Sequence, residues 1–188
     1  MRQIPNFITS LRLIASPIVV WLLLERWYTA ALGVVLLAGL TDWLDGFAAR
    51  HLNVTGKTGV VLDPLADKGL LVTLFLTLGW VGLIPLWLLA LVIARDVVIV
   101  TGALLLRTLR GVSKFVPTMP GKVSTFFQIV FVLLVLVEAA YPNPIFAGLR
   151  DMGLGCTAVF TAFSGVDYVR IGIRLTQETA SAKRAKRV

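Results

Sequence analysis

Cysteine and histidine are almost missing from this chain of 188 residues, which has one of each, Cys156 and His51. A single cysteine excludes an intrachain disulfide framework. One cysteine and one histidine also exclude the clustered thiolate and imidazole ligands of a zinc centre. Cys156 stands inside an apolar run and reads as a small packing residue. His51 closes a polar stretch and reads as solvated or close to a headgroup. Charge is scarce too. Only 15% of the residues are charged, against about a quarter in soluble domains, which excludes an ordinary water-facing surface for most of the chain. Acidic residues are the rarer sign, 10 against 18 basic ones, so the net charge is +8. No soluble basic domain or recognition motif accompanies that charge, so no nucleic-acid partner is expected. No polar stretch is long enough for a second soluble domain. One domain over residues 1–188 is expected, with a basic tail from about residue 176.

Apolar residues are what the chain has in excess. They make up 57% of it, give a mean hydropathy of +0.88, and fall in long runs. A membrane-spanning helix takes about 20 such residues. Six segments qualify: 7–25, 28–49, 60–80, 85–106, 122–140 and 152–173. The expected fold is all-α, a polytopic integral membrane bundle of six transmembrane helices. A short interfacial segment at residues 4–8 precedes it, where Pro5 suits a helix start. The first apolar run has no small-residue cleavage site and no polar region after it, so it reads as a span rather than a signal peptide.

Basic residues set the expected orientation. With the N-terminus cytoplasmic, fifteen Lys and Arg fall on the inner side and two, Arg26 and Arg150, on the outer, with Arg95 inside a span. That asymmetry follows the positive-inside rule. Both termini and the 50–59 connection are then cytoplasmic, in an inner or cytoplasmic membrane. The basic tail would meet anionic membrane lipids.

Against this background the stretch DWLDGFAARHLNVTGKTGVVLDPLAD, residues 42–67, carries four aspartates. Asp42 and Asp45 are spaced i, i+3, and Asp63 and Asp67 i, i+4, so each pair shares a helix face. The two helices are joined by a short connection, and all four carboxylates can converge on one cavity at their cytoplasmic ends. Four close carboxylates repel one another, and burial adds a desolvation cost. Divalent cations relieve both. All-oxygen ligands suit Mg²⁺, Mn²⁺ or Ca²⁺, and four acids suit two ions, an arrangement used in phosphoryl chemistry. Gly46, Ala49 and Gly59 leave room near the acids, and Arg50 can pair with phosphate. Each of these small residues taken alone also fits plain helix packing.

The pattern D-x2-D-G-x2-A-R-x8-G-x3-D-x3-D is met at Asp42, Asp45, Gly46, Ala49, Arg50, Gly59, Asp63 and Asp67. It resembles the signature of the CDP-alcohol phosphotransferase family, and the six-span reading matches that family over essentially the whole chain. The resemblance implies transfer of a phosphatidyl group from CDP-diacylglycerol to an acceptor hydroxyl, with release of CMP. It implies Asp42, Asp45 and Asp63 as ligands of two divalent cations, Mg²⁺ or Mn²⁺. Asp67 would be the general base and would share in metal binding. Gly46, Ala49, Arg50 and Gly59 would line the cytidine nucleotide, and a homodimer is implied as well.

Two acceptors remain open, phosphatidylglycerol and glycerol 3-phosphate. The opening Pro5, Asn6, Thr9 and Arg12 resembles family branches that use either one. Arg95-Asp96-Val97 favours phosphatidylglycerol, whereas Gly121 before Lys122 favours glycerol 3-phosphate. Arg95 reads either as half of a structural ion pair or as a contact for the acceptor's phosphate. Arg107, Arg110, Lys114 and Lys122 form an expected basic patch that would attract an acceptor carrying phosphate. A rival reading from another class is a divalent-cation carrier, whose acids would line a conduction path instead.

Overall fold

A computed structural model describes the backbone of residues 15–51, 62–110 and 119–185, and the side chains of residues 15–41, 69–102 and 119–172. The described residues are all-α. Six helices follow one another: α1 (Ala15–Leu24), α2 (Tyr28–His51), α3 (Leu62–Val81), α4 (Leu86–Arg110), α5 (Met119–Ala140) and α6 (Pro144–Ala185). Each lies on one of the six apolar segments expected from the sequence. The interfacial segment expected at residues 4–8 lies outside the described residues.

Local chemistry sets the turns. At the end of α1, the Trp27 N–H donates to the Leu22 carbonyl at 2.8 Å and the Arg26 N–H to the Leu23 carbonyl at 3.2 Å. This pair of bonds is a Schellman motif, in which one residue takes the left-handed conformation. Here that residue is Arg26, at φ 61°. Trp21 and Trp27 close the motif, their ring centroids 5.7 Å apart. The end of α3 repeats it, with Leu83 N–H to Leu78 at 2.9 Å and Gly82 N–H to Gly79 at 3.3 Å. There the left-handed residue is Gly82, at φ 81°, and Pro85 follows before α4. Asn143 starts α6: its Oδ1 accepts the Ile145 N–H at 2.9 Å, and Pro144 occupies the first helical position, where its missing N–H costs nothing.

Two compact units are formed. The first contains α1, α2, α3 and the α5–α6 junction, Val132–Arg150. Its core holds Leu22, Leu23, Leu74, Phe75, Leu78, Val135 and Leu136, apolar residues at helical spacing. Across the junction Arg150 pairs with Glu138 at 3.3 Å. The second unit contains α4, α5 up to Phe131 and α6 from Asp151. Beside the buried Leu88, Val92 and Phe131, its interior carries a polar seam. Arg95, Ser124, Gln128, Thr157, Thr161 and Ser164 are buried, while Phe126, Val159, Phe163 and Val166 are exposed. That inversion is the pattern of helices packed through small and polar residues in lipid.

Among the described residues, two helical stretches, Met119–Ala140 and Pro144–Gly172, are long and apolar enough to cross a membrane. The sequence reading places the sixth span at 152–173 and a tail from about 176. The helix instead begins at Pro144 and continues to Ala185. Asn143 and Pro144 start it early, and no Gly or Pro follows Gly172 to stop it. At 42 residues it is about 63 Å long, roughly twice a bilayer's hydrocarbon core.

Candidate active site and a buried arginine cluster

Asp42, Asp45, Gly46, Ala49 and Arg50 all fall on the C-terminal half of α2. At 3.6 residues per turn their backbone positions occupy an arc of about 140°, so one stripe of the helix carries all five. Asp63 and Asp67 fall in the first two turns of α3, one turn apart on a common face. Pro64 is tolerated there because a first-turn N–H has no helical partner. The seven positions therefore stand at the end of one helix and the start of the next, in the same compact unit. Their side chains lie outside the described residues, as do Gly59, Asn6, Thr9, Arg12 and Lys114 and the side chains of Arg107 and Arg110. The donor set is four carboxylates, and the stretch between them holds no cysteine and one histidine, His51, too few for a thiolate or imidazole cluster. That chemistry fits hard divalent cations.

Thr41 directly precedes Asp42, and its hydroxyl donates back to the Leu37 carbonyl at 2.9 Å and the Ala38 carbonyl at 3.0 Å. Its hydroxyl is therefore spent on its own helix, a habit that bends helices locally. At the other end of α2 a cleft of about 380 Å³ is lined by Arg26, Trp27, Tyr28, Thr29, Ala30, Ala139 and Ala140. It is about 22 Å along the helix from Asp45 at 1.5 Å per residue, too far to belong to the signature.

Arg95 is the candidate whose surroundings are best defined. Its side chain is 3% exposed. Nη1 pairs with Asp96 Oδ1 at 2.6 Å. Nε and Nη2 both donate to Ser164 Oγ, at 3.3 and 3.1 Å. Nη2 also donates to the Gly121 carbonyl at 3.1 Å. The guanidinium carbon lies 5.8 Å from the centre of the Tyr168 ring, within cation–π range. Below it the polar seam continues: Gln128 Nε2 donates to Thr161 Oγ1 at 3.2 Å, Ser124 and Thr161 hydroxyls meet at 3.2 Å, and Thr157 donates to the Phe127 carbonyl at 3.1 Å. Phe127 and Phe160 stack beside it with centroids 4.4 Å apart.

Several sequence expectations are refined here. Of the two readings of Arg95, the ion pair with Asp96 is present, and the guanidinium is directed into helix packing. Gly121 has a packing reason of its own: a Cβ there would stand 2.7 Å from the Tyr168 hydroxyl oxygen. It is therefore a weak guide to the acceptor. Lys122 is exposed. The sequence reading missed Thr157, Thr161, Ser164 and Tyr168, although their 4, 3, 4 spacing marks one polar stripe on an apolar helix.

Residues 2–163 match the CDP-alcohol phosphatidyltransferase family, and the chain belongs to that family. Among individual proteins it is similar to the cardiolipin synthase (CMP-forming) of Rattus norvegicus, at 36% identity over 93% of this chain and 63% of that protein. The cardiolipin synthase (CMP-forming) of Homo sapiens is 35% identical with the same coverage. The CDP-diacylglycerol–glycerol-3-phosphate 3-phosphatidyltransferase of Aquifex aeolicus is 32% identical over 92% of this chain and 97% of its own length. The chain thus spans a little under two thirds of the two cardiolipin synthases, and nearly all of the Aquifex protein.

Proposed function

We propose that the chain is a membrane-embedded phosphatidyltransferase of phospholipid biosynthesis. It moves the phosphatidyl group of CDP-diacylglycerol to a glycerol-type hydroxyl and releases CMP. The observation that carries this reading is the complete eight-residue signature, Asp42 to Asp67, seven of whose positions lie on the C-terminal half of α2 and the first two turns of α3, within the stretch that matches the family.

Asp42, Asp45, Asp63 and Asp67 would hold two divalent cations, Mg²⁺ or Mn²⁺. Bound there, such ions neutralise the pyrophosphate and stabilise the departing phosphate of CMP. Asp67 accepts the proton of the acceptor hydroxyl as its oxygen attacks the phosphorus bearing the diacylglycerol. The bond from that phosphorus to the CMP oxygen breaks. Gly46, Ala49 and Gly59 give the cytidine nucleotide room, and Arg50 pairs with its phosphate. Six spans, both termini on the cytoplasmic side and a homodimer complete the reading. The buried polar and exposed apolar residues of α5 and α6 support a lipid environment, as do the exposed Trp21, Trp27, Trp80 and Tyr141 at helix ends, where interfacial aromatics gather.

Phosphatidylglycerol is the favoured acceptor, from the Arg95-Asp96-Val97 segment and the 36% identity to a cardiolipin synthase. Glycerol 3-phosphate is the second reading, favoured by the end-to-end match to the Aquifex protein. The acceptor's phosphate is assigned to the other basic and polar candidates, Asn6, Thr9, Arg12, Arg107, Arg110, Lys114 and Lys122, because Arg95 is engaged within its own unit. A cation carrier would have no use for the Gly-Ala-Arg grouping beside the acids. The deciding assay offers labelled CDP-diacylglycerol and Mg²⁺ to the purified protein with each acceptor in turn. Cardiolipin and CMP are expected with phosphatidylglycerol. Formation of phosphatidylglycerophosphate alone selects the second reading, and no CMP with any glycerol acceptor rejects both.

A further inference from the structure

We propose that Arg95 is a positioning residue: its guanidinium pins the first turn of α5 to α6 and so sets the place of Lys122. The consequence for catalysis rests on the reading above, in which Lys122 meets the acceptor's phosphate.

Arginine has five N–H donors. Four contacts already engage the guanidinium of Arg95 inside the protein: two with Ser164, one with Asp96 and one with the Gly121 carbonyl. A phosphate ligand would need the planar fork turned toward it for bidentate pairing, and this fork is turned toward protein. Its side chain is 3% exposed, so a negatively charged acceptor has little access to it.

The geometry shows what the group does instead. Gly121 lies in the first turn of α5, where no preceding turn braces the backbone. Its carbonyl also accepts from the Thr125 hydroxyl at 3.1 Å. Tyr168 packs over Gly121 closely enough to exclude a methyl group, and its ring faces the guanidinium. One cation from α4 therefore ties the start of α5 to Ser164 of α6. Lys122, the next residue after the clamped carbonyl, is exposed. Lysine could not replace Arg95, because an ammonium offers donors from one point and no planar fork.

Ser164 gives the cleanest test, since it touches Arg95 and is itself fully buried. Hydrogen exchange would be followed at the amides of residues 123–126 in the purified full chain, for Ser164→Ala, Arg95→Lys and the control Thr157→Val. Thr157 sits in the same seam but bonds to Phe127 rather than to Arg95. Exchange about tenfold faster is expected in the first two variants, as for loss of a buried hydrogen bond, with the control unchanged. In the transfer assay Ser164→Ala should raise the acceptor KM about three- to tenfold, with kcat and donor KM within about twofold. Unchanged exchange in Ser164→Ala and Arg95→Lys overturns the pin. So does equal acceleration in Thr157→Val, which would mean general loosening. Raised acceptor KM in Arg95→Lys without faster exchange would make Arg95 a direct ligand instead. Lys122→Gln separates the underlying reading: an unchanged acceptor KM there removes Lys122 from the acceptor site, while the exchange data still judge the pin.

Discussion

Arg26 and Gly82 hold equivalent places in two turns, and only one of them is suited to it. A side chain in the left-handed region costs about 1 kcal/mol or more, and glycine avoids that cost. Arg26→Gly should therefore stabilise the protein by about 0.5–1 kcal/mol, while Gly82→Ala should destabilise it by about 1 kcal/mol. No atom beyond its neighbours lies within 4 Å of a Cβ at Gly82, so backbone strain alone would be measured. Thermal unfolding of both variants in detergent checks the opposite signs. Among the acids, Asp67 is expected to act on the proton. Asp67→Asn should keep nucleotide binding and lose turnover by about 10²–10⁴-fold; normal turnover would remove it as the base. Asp42→Ala should shift the Mg²⁺ titration of activity to higher concentration, and an unchanged titration would contradict its ligand role.

Helix α6 shows how an element is defined by its ends as much as by its hydropathy. Asn143 satisfies an N–H of the first turn, and Asn143→Ala should cost about 1 kcal/mol, with Asn143→Asp close to the native residue. Equal stability of the alanine variant would show that the cap contributes nothing. The apolar run alone marks only the middle of this helix, which is why its start and its long C-terminal continuation were misjudged from sequence. On α5 and α6 the buried stripe includes Ser124, Gln128, Thr157, Thr161 and Ser164, while Phe126, Val159, Phe163 and Val166 face outward. Hydropathy averages hide this sidedness, whereas the spacing of Ser124 with Gln128, and of Thr157, Thr161, Ser164 and Tyr168, displays it.

For the molecule as a whole, the proposed chemistry makes a metal requirement. EDTA should abolish CMP release, and Mg²⁺ or Mn²⁺ should restore it; activity that survives chelation would count against cation-held pyrophosphate. The family was readable from residues 42–67, because their pattern resembles the family's signature and its i, i+3 and i, i+4 spacings express helix periodicity, which needs no tertiary information. The six apolar segments were readable for the same local reason, since an apolar run of about 20 residues is too long for an ordinary buried strand and suits a helix. The surroundings of Arg95 were not. Sequence could offer a partner in Asp96, its neighbour, but Gly121, Ser164 and Tyr168 are 26, 69 and 73 residues away in the chain. Which hydroxyl and which carbonyl a buried cation meets depends on the packing of three helices. That packing is set by the fit of many side chains at once, and only the folded arrangement reports it.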